Sequence, residues 1–522
     1  MNDVKETDVE LLDATHKLFR LLSEDEINSI MNSNNQPNLL VANNQKYILM
    51  DSDKTKVVIG KDYNYIFNKT NGDFKRWGKN YEDDPTYSPI GGEILDIEVT
   101  TICRGINGVL CHFCSPKGTK INTVNGYIDI EKIVKGDAVM GYDLKTSKVK
   151  TQEVAEVYSR QYTGELICFD FNNGETLKLT PDHIVILKDG IEKPAKNVTE
   201  NDNMISSSII KRIYSEDFDG MVYNFHSLPN ENYFSHGMLV HNCYKSNTPN
   251  GKNMSFDTFK TIMDKMGKQL TQIAFGADSE ATSNPELFKM ADYCRSIGVV
   301  PNITVANVSD EIADKLANVM GAVAVSRYSD KNVCYNSIKK LTDRGMTQCN
   351  MHFMISEETY DSCMETLSDI KNDDRLSKLN AIVLLSLKKK GRGVGYNKLS
   401  SEKYNNIVKY CMDNDIRFGM DSCGAKKFLD SVKDHPNYEN FKIVCEPCES
   451  TAFSQYIDVD AKYFPCSFCE GADDWDEGID VVKCDNFLKD IWYNDRVKKF
   501  RHKLTNNCNN CHKARECPIY DV

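Results

Sequence analysis

The residues able to do chemistry in this sequence are mostly cysteines, and their spacing sorts them into groups. Cys111 and Cys114 close the short stretch "CHFC", Cys103 lies upstream, and Cys243 follows much later in "LVHNCYKSN". Farther on come Cys445 and Cys448, Cys466 and Cys469, then Cys508, Cys511 and Cys517. Thiolates in C-x2-C pairs bind iron–sulfur clusters or tetrahedral zinc, and a thiolate is also a strong nucleophile. The odd total of 19 cysteines, in a chain whose start "MNDVKETDVELLD" has no basic and apolar leader, argues for such chemistry over a disulfide framework. The isolated Cys168, Cys294, Cys334, Cys349, Cys363 and Cys411 read as small buried hydrophobes. A different chemistry gathers at Thr180 and His183 in "LTPDHIVIL", and at His241, Asn242 and Cys243. Hydroxyl, imidazole, carboxamide and thiol are the groups that move protons and acyl groups at peptide bonds.

These side chains need a frame. Strand-like runs at 93–102, 271–276, 299–305, 321–326, 348–354 and 380–387 alternate with amphipathic segments such as "SFDTFKTIMDKM" and "SNPELFKMADYCRSI". Their opening Ser and Asn suit helix caps, and the alternation predicts a parallel α/β sheet or barrel. Residues 114–242 break this rhythm with short alternating runs such as "GYIDI", "GELICFDF", "ETLKLT" and "MVYNFHS", an all-β module set inside the α/β unit. Deleting it joins Phe113 to Cys243. With 40% hydrophobic and 27% charged residues the composition is that of a globular protein. The formal charge of −12 gives no support for a nucleic-acid partner. No apolar run approaches the ~18 residues of a membrane helix. The expectation is a cytoplasmic protein with neither nucleic acid nor membrane as partner.

The module resembles the inteins, the self-excising protein elements, in four ordered blocks. "CSPKGTKINTVNGYIDIEKIVKGDAVMGYD" looks like the N-terminal block with Cys114 first, and "LTPDHIVIL" carries the T-x-x-H pair. "MVYNFHSLPNENYFSHGMLVHN" looks like the two C-terminal blocks, with Cys243 as the next residue. The length is that of a mini-intein without a homing endonuclease. The resemblance implies catalytic roles for Cys114, Thr180, His183, His241, Asn242 and Cys243, with no cofactor. Cys114 would attack the carbonyl of Phe113 and form a thioester, with His183 protonating the departing nitrogen and Thr180 orienting the bond. Cys243 would take the acyl group. Asn242 would cyclise with help from His241, and an S-to-N shift would leave a Phe113–Cys243 peptide. Inteins often carry Asp where this chain has Asn224, and a His where it has Glu231. Intein-like domains that cleave and do not ligate are the near alternative.

With the module removed, Cys103, Cys111 and Cys243 form C-x7-C-x2-C after a strand, which resembles the cluster loop of radical S-adenosylmethionine (SAM) enzymes in a variant spacing. In the precursor Cys114 occupies the place that Cys243 would take. The resemblance implies a [4Fe–4S] cluster on these three thiolates that binds and reductively cleaves SAM. "FGADSEATSNPEL" looks like the family's Gly-Gly-Glu-Pro element, with Glu280 placed to meet the SAM ammonium; Asn302, Thr304 and Ser326 are further candidate SAM contacts. "CNNCHKAREC" and the "YIDVDAKYFPCSFCEG" hairpin resemble the auxiliary-cluster extension called SPASM, or its shorter twitch form. One auxiliary [4Fe–4S] cluster would draw four ligands from Cys448, Cys466, Cys469, Cys508, Cys511 and Cys517; a zinc site is the alternative. By the same resemblance the partners would be a peptide or protein substrate and a flavodoxin- or ferredoxin-type electron donor.

The expected architecture is therefore multidomain. An N-terminal extension of an acidic helix and a small β region spans 1–92. A partial (β/α) TIM-like barrel is split between 93–113 and 243–430. An all-β Hint horseshoe occupies 114–242, and a small Cys-rich α+β domain 431–522. The alternative is a non-catalytic iron–sulfur or zinc protein whose Hint domain cleaves and does not splice.

Overall fold

The computed structural model describes residues 37–102, 114–144, 146–188, 190–205, 209–228, 230, 232–241, 251–277, 280–472, 474–505 and 517–520. The expected acidic helix of the first residues lies outside them, as do Cys103, Cys111, Asn242, Cys243, Cys508 and Cys511. Contacts divide the chain into one unit of residues 1–100, 252–387 and 398–522, and a second of 101–251 and 388–397.

The first unit opens with an antiparallel meander: β1 (Asn38–Ala42), β2 (Gln45–Asp51), β3 (Thr55–Ile59), β4 (Asn64–Asn68) and β5 (Phe74–Trp77), paired in chain order. Asn43 and Asn44 turn the first hairpin with φ of 49° and 62°, the left-handed pair that a two-residue loop needs and asparagine tolerates. Tyr47, Leu49, Val58, Tyr65 and Phe67 bury against one another and against Ile90 and Phe453. Two polar tips fasten the meander to residues 268–270. Lys56 Nζ donates to the Leu270 carbonyl at 2.7 Å and the Lys268 carbonyl at 3.2 Å, and the Tyr65 hydroxyl donates to the Gln269 carbonyl at 2.6 Å. Burial pulls the Lys56 ammonium down to about 8 against the opposing pull of Asp51. Arg76 forms a second tie: its Nη2 sits 2.7 Å from Glu93 Oε2, whose side chain is fully buried, and its guanidinium lies 3.5 Å over the Phe453 ring. β6 (Ile94–Thr100) follows and is the last strand before the all-β segment.

The second unit holds β7 (Ser115–Pro116), β8 (Lys120–Thr123), β9 (Gly126–Asp129), β10 (Ala138–Asp143), β11 (Lys148–Phe171), β12 (Thr176–Leu179), β13 (Ile184–Ile186), β14 (Glu192–Pro194), β15 (Ile210–Leu228), β16 (Asn232–Ser235) and β17 (Met238–His241). They form one sheet in the order β14-β13-β17-β16-β8-β10-β11-β15-β7, with β12 on β11 and β9 on β8. Ile121, Val139, Val154, Phe169, Leu177, Val185, Phe225, Tyr233 and Val240 make its core. β11 and β15 pair along almost their whole length, from Glu153↔Leu228 to Phe171↔Ile210. The sequence marks only the C-terminal stretches of these two strands, 164–171 and 221–227, where most of their buried residues lie. The rest of β11 carries exposed Val149 and Val157 among charged residues, and 210–220 of β15 bury no continuous face. His236 and Gly237, with φ of 46° and 79°, make the tight turn that returns β17 beside β16.

After the segment come β18 (Gln272–Ala277), β19 (Val300–Val305), β20 (Ala322–Ser326), β21 (Cys349–Ile355), β22 (Ala381–Ser386), β23 (Phe418–Met420), β24 (Ser454–Ile457), β25 (Lys462–Phe464) and β26 (Ile479–Asp480). The sheet order is β23-β22-β21-β20-β19-β18-β6-β24-β25-β26. Every pair from β23 to β24 is parallel, and helices such as Phe256–Met266 and Leu287–Ser296 connect the strands. Parallel strands taken in sequence order are joined by crossovers that are right-handed as a rule, which puts the helices on one face; the large cluster around Leu95, Ile273, Ile303, Val325, Met351 and Leu384 packs between strands and helices. The result is a singly wound α/β sheet, and among the described residues no pairing closes it into a barrel. The hairpin expected within a separate Cys-rich domain from 431 extends this same sheet: β24 lies parallel to β6. Ser255 caps its helix, accepting from Thr258 N–H. Asn284, also a predicted cap, instead donates to the carbonyls of Val99 and Met254 and ties β6 to the chain that follows the insert.

Candidate active site

The all-β unit gathers polar side chains around the backbone N–H and carbonyl of Cys114. Thr180-Pro181-Asp182-His183 is a β-turn closed by the His183 N–H to the Thr180 carbonyl at 3.0 Å, with Pro181 at the position its fixed φ suits. The turn aims two side chains at Cys114. Thr180 Oγ1 accepts from the Cys114 N–H at 2.9 Å and lies 3.1 Å from the Cys114 carbonyl oxygen, which also accepts the Thr180 N–H at 3.0 Å. His183 Nδ1 lies 3.2 Å from the same oxygen; a carbonyl only accepts, so this nitrogen carries the proton. Thr180 and His183 are fully buried and Cys114 is 8% exposed. The hydroxyl, not the imidazole, touches the Cys114 nitrogen, while the imidazole grips the Cys114 carbonyl.

Burial holds His183 neutral, pulling it down to about 4, with the backbone of Cys114 acting the other way and the charge of His241 adding to the fall. His241 is the last residue of β17, which pairs with β13 at Val240↔Val185 just after His183. Both ends of the all-β segment thus meet at one histidine. His241 Nε2 lies 3.5 Å from Glu192 Oε1. Asn224 is buried on β15; its Oδ1 accepts from the Phe225 N–H at 2.8 Å and from the Tyr233 hydroxyl at 3.1 Å. Sequence reasoning missed Arg160 on β11, whose Nη2 is 3.6 Å from Cys114 Sγ. No motif marks it; only the pairing of β11 with β15 and of β15 with β7 brings it there.

In the α/β unit the candidate residues lie on the parallel strands and just beyond their ends. Glu280 follows β18, and its Oε1 accepts from the Ala306 N–H at 2.7 Å. Among the described residues its Oε2 is buried without a hydrogen-bond partner, and burial pushes the carboxyl up to about 7 against the pull of the Ala306 and Asn307 backbone. A buried acid in that state is suited to a cation that is not part of the chain. Thr304 is exposed and Ser326 half-buried on neighbouring strands. Asn302 uses both ends of its amide within the sheet, donating to Gln272 Oε1 at 3.0 Å and accepting from the Ala322 N–H at 2.9 Å. It fastens strands. Of the cysteines, Cys466 and Cys469 have sulfurs 3.4 Å apart, a contact that pulls the Cys466 thiol down and pushes the Cys469 thiol up. Cys517 is raised by burial and by the charges of Cys448 and Cys466, so four thiols share one neighbourhood. Among the described residues no group of three or more His, Cys, Asp or Glu side chains is gathered as a metal site.

Residues 120–243 match the family model of the pretoxin HINT domain. No curated protein matches the chain. Among solved structures the chain is similar to a bacterial intein-like domain from Clostridium thermocellum, at 28% identity over 25% of this chain and 100% of that one, with a TM-score of 0.24. It is similar also to a DnaB intein from Synechocystis sp. PCC 6803, at 15% identity over 25% and 99%, TM-score 0.23. A third is the gp41-1 intein, at 18% identity over 25% and 98%, TM-score 0.21. The family match and the single all-β sheet make residues 120–243 a Hint-like domain, a type consistent with protein splicing or cleavage. No helix among the described residues is long and apolar enough to cross a membrane.

Proposed function

We propose that the Hint-like domain breaks the Phe113–Cys114 bond by itself and, with Asn242 and Cys243, splices the flanks together. The observation that carries this reading is the grip of Thr180 on the Cys114 N–H, the nitrogen side of the 113–114 peptide, and of Thr180 and His183 on the carbonyl of Cys114 in the next peptide group. Cys114 Sγ attacks the Phe113 carbonyl carbon. The C–N bond breaks, the thiol proton is lost, and the freed nitrogen gains one, so the step is an isomerisation to a thioester. Thr180 fixes the nitrogen, and a neutral Nδ1–H donor stands one peptide group away. Transfer to Cys243 and cyclisation of Asn242 then complete splicing; transfer to water or an added thiol gives cleavage alone. Expression of the whole chain followed by intact-mass measurement tests this. Splicing yields the joined flanks and the free insert, cleavage yields unjoined pieces, and Cys114→Ala with Asn242→Ala keeps one chain. A single full-length species from the unmutated gene would overturn the reading.

We read the surrounding α/β unit as a radical SAM enzyme acting on a peptide or protein with electrons from a flavodoxin- or ferredoxin-type donor. The support is the buried, unpartnered oxygen of Glu280 beyond a parallel strand, where such sheets place their sites. Cys103, Cys111 and Cys243 would hold the first [4Fe–4S] cluster, and four of Cys448, Cys466, Cys469, Cys508, Cys511 and Cys517 the auxiliary one. When bound, cluster and SAM supply a one-electron cleavage that starts hydrogen abstraction. This chain's own part is to meet the SAM ammonium with Glu280 and to offer Thr304 and Ser326 beside it. A second reading rests on the 3.4 Å between Cys466 and Cys469 sulfurs, close to the ~3.8 Å that two thiolates take on one tetrahedral zinc. Iron, sulfide and zinc analysis of anaerobically purified protein decides between them. Glu280→Gln is expected to weaken SAM binding about tenfold with iron content unchanged. Iron-free, zinc-loaded protein would overturn the enzyme reading.

A further inference from the structure

We propose that Arg160 activates Cys114 by holding its sulfur as the thiolate, a role that rests on the self-processing reading above. Cys114 lies in a small apolar cluster with Tyr162, Leu166 and Val222, all buried. Apolar walls disfavour a thiolate, and a thiol so placed is ordinarily inert. The guanidinium of Arg160 supplies the missing charge: its Nη2 donates toward Cys114 Sγ at 3.6 Å, a normal length for a sulfur acceptor. The placement is built by the sheet. Arg160 lies opposite Val222, which on its other side pairs with Pro116, two residues beyond Cys114.

The other groups around the sulfur do not compete for this role. Tyr162 spends its hydroxyl on the Glu165 carbonyl at 2.9 Å, and burial raises it, with Asp182 adding to the rise and Arg160 opposing. From β16, Tyr233 donates to Asn224. From the turn, Thr180 and His183 face the backbone N–H and carbonyl of Cys114, not its sulfur. Asn224, two residues along β15 from Val222, puts a neutral amide where inteins often carry a carboxylate, so no negative charge is added at that position. The arrangement prepares the anionic nucleophile before attack and leaves the proton to be returned to the amide nitrogen.

The test uses the full chain carrying Asn242→Ala, compared with the same chain bearing Arg160→Gln, Arg160→Met or Arg160→Lys. Carbamidomethylation of the Cys114 peptide by iodoacetamide is followed by mass spectrometry from pH 6 to 9. Release at 113–114 by dithiothreitol is followed alongside. Arg160→Gln is expected to slow alkylation at pH 7 about tenfold and move its profile to higher pH. Arg160→Lys, which keeps the charge, recovers most of the loss. Arg160→Met keeps the apolar stem against Val222 and replaces the Gln variant if that one melts early. Alkylation unchanged without the charge, or unrescued by Lys, overturns the proposal. A parent that alkylates in an Arg160-dependent way but releases nothing with dithiothreitol leaves the contact standing and removes the self-processing reading. Release equally fast in parent and Arg160→Gln removes the activation.

Discussion

At the residue scale the Hint-like site turns on His183, a buried imidazole kept neutral. In the folded chain it titrates near 4, below the ~6.5 of a free histidine. Between these values the unfolded chain binds more protons than the folded one, so stability rises with pH through the window and is lost as pH falls from 6.5 toward 4. The full loss is about 3 kcal/mol for a group with no exposed surface. The protection of the β12 and β13 amides, taken as hydrogen exchange resolved by mass spectrometry and divided by the intrinsic rate at each pH, is expected to fall as pH drops through that window in the parent and to stay nearly constant in His183→Gln. Part of this site was legible from sequence because T-x-x-H and a terminal His-Asn-Cys are local patterns. Arg160 was not, because its only relation to Cys114 runs through two strand pairings. The shared burden of Thr180 and His183 was also hidden, since spacing names the pair but does not say which atom each touches.

At the scale of elements, the sheet of the first unit depends on polar ties that no hydrophobic pattern announces. Arg76 is the counterion of the fully buried Glu93 and lies flat on Phe453. Arg76→Met is expected to cost about 1–3 kcal/mol, since it takes the donor from a buried carboxyl that burial and the neighbouring Glu449 and Glu446 push well up. Urea unfolding followed by fluorescence checks it, because Trp77, Trp475 and Trp492 all lie in this unit. Arg76→Met with Glu93→Gln should recover part of the loss. The central strands were readable because buried parallel strands are continuous apolar runs between turn residues. β23 was missed at three residues, too short to carry a pattern. The place of β24 was missed because pairing beside β6 is a long-range fact, with the whole α/β run between them.

For the whole molecule, the strand before the insert already has both neighbours: β6 pairs with β18 through Gln272↔Ile94 onward and with β24 through Ser454↔Ile94 onward. β6 is therefore paired on both sides with the all-β segment in place, and the proposed splicing would leave these pairings as they are. Purified precursor, held by Cys114→Ala and Asn242→Ala, and processed protein are expected to unfold at urea midpoints within the error of the measurement when read by tryptophan. A markedly less stable precursor would contradict it.

The meeting of Cys114 and His241 at one imidazole has a further consequence, in polymer terms. Closing a flexible loop costs entropy that grows with the logarithm of its length. A folded segment whose ends lie side by side does not count at its contour length. To the chain joining β6 to β18 it is a short tether with a knot of structure hung on it. Unfold that segment alone, by a mutation in its own core such as Phe169→Ala, and the tether lengthens, and the α/β sheet should weaken by about 1–2 kcal/mol with none of its own contacts touched.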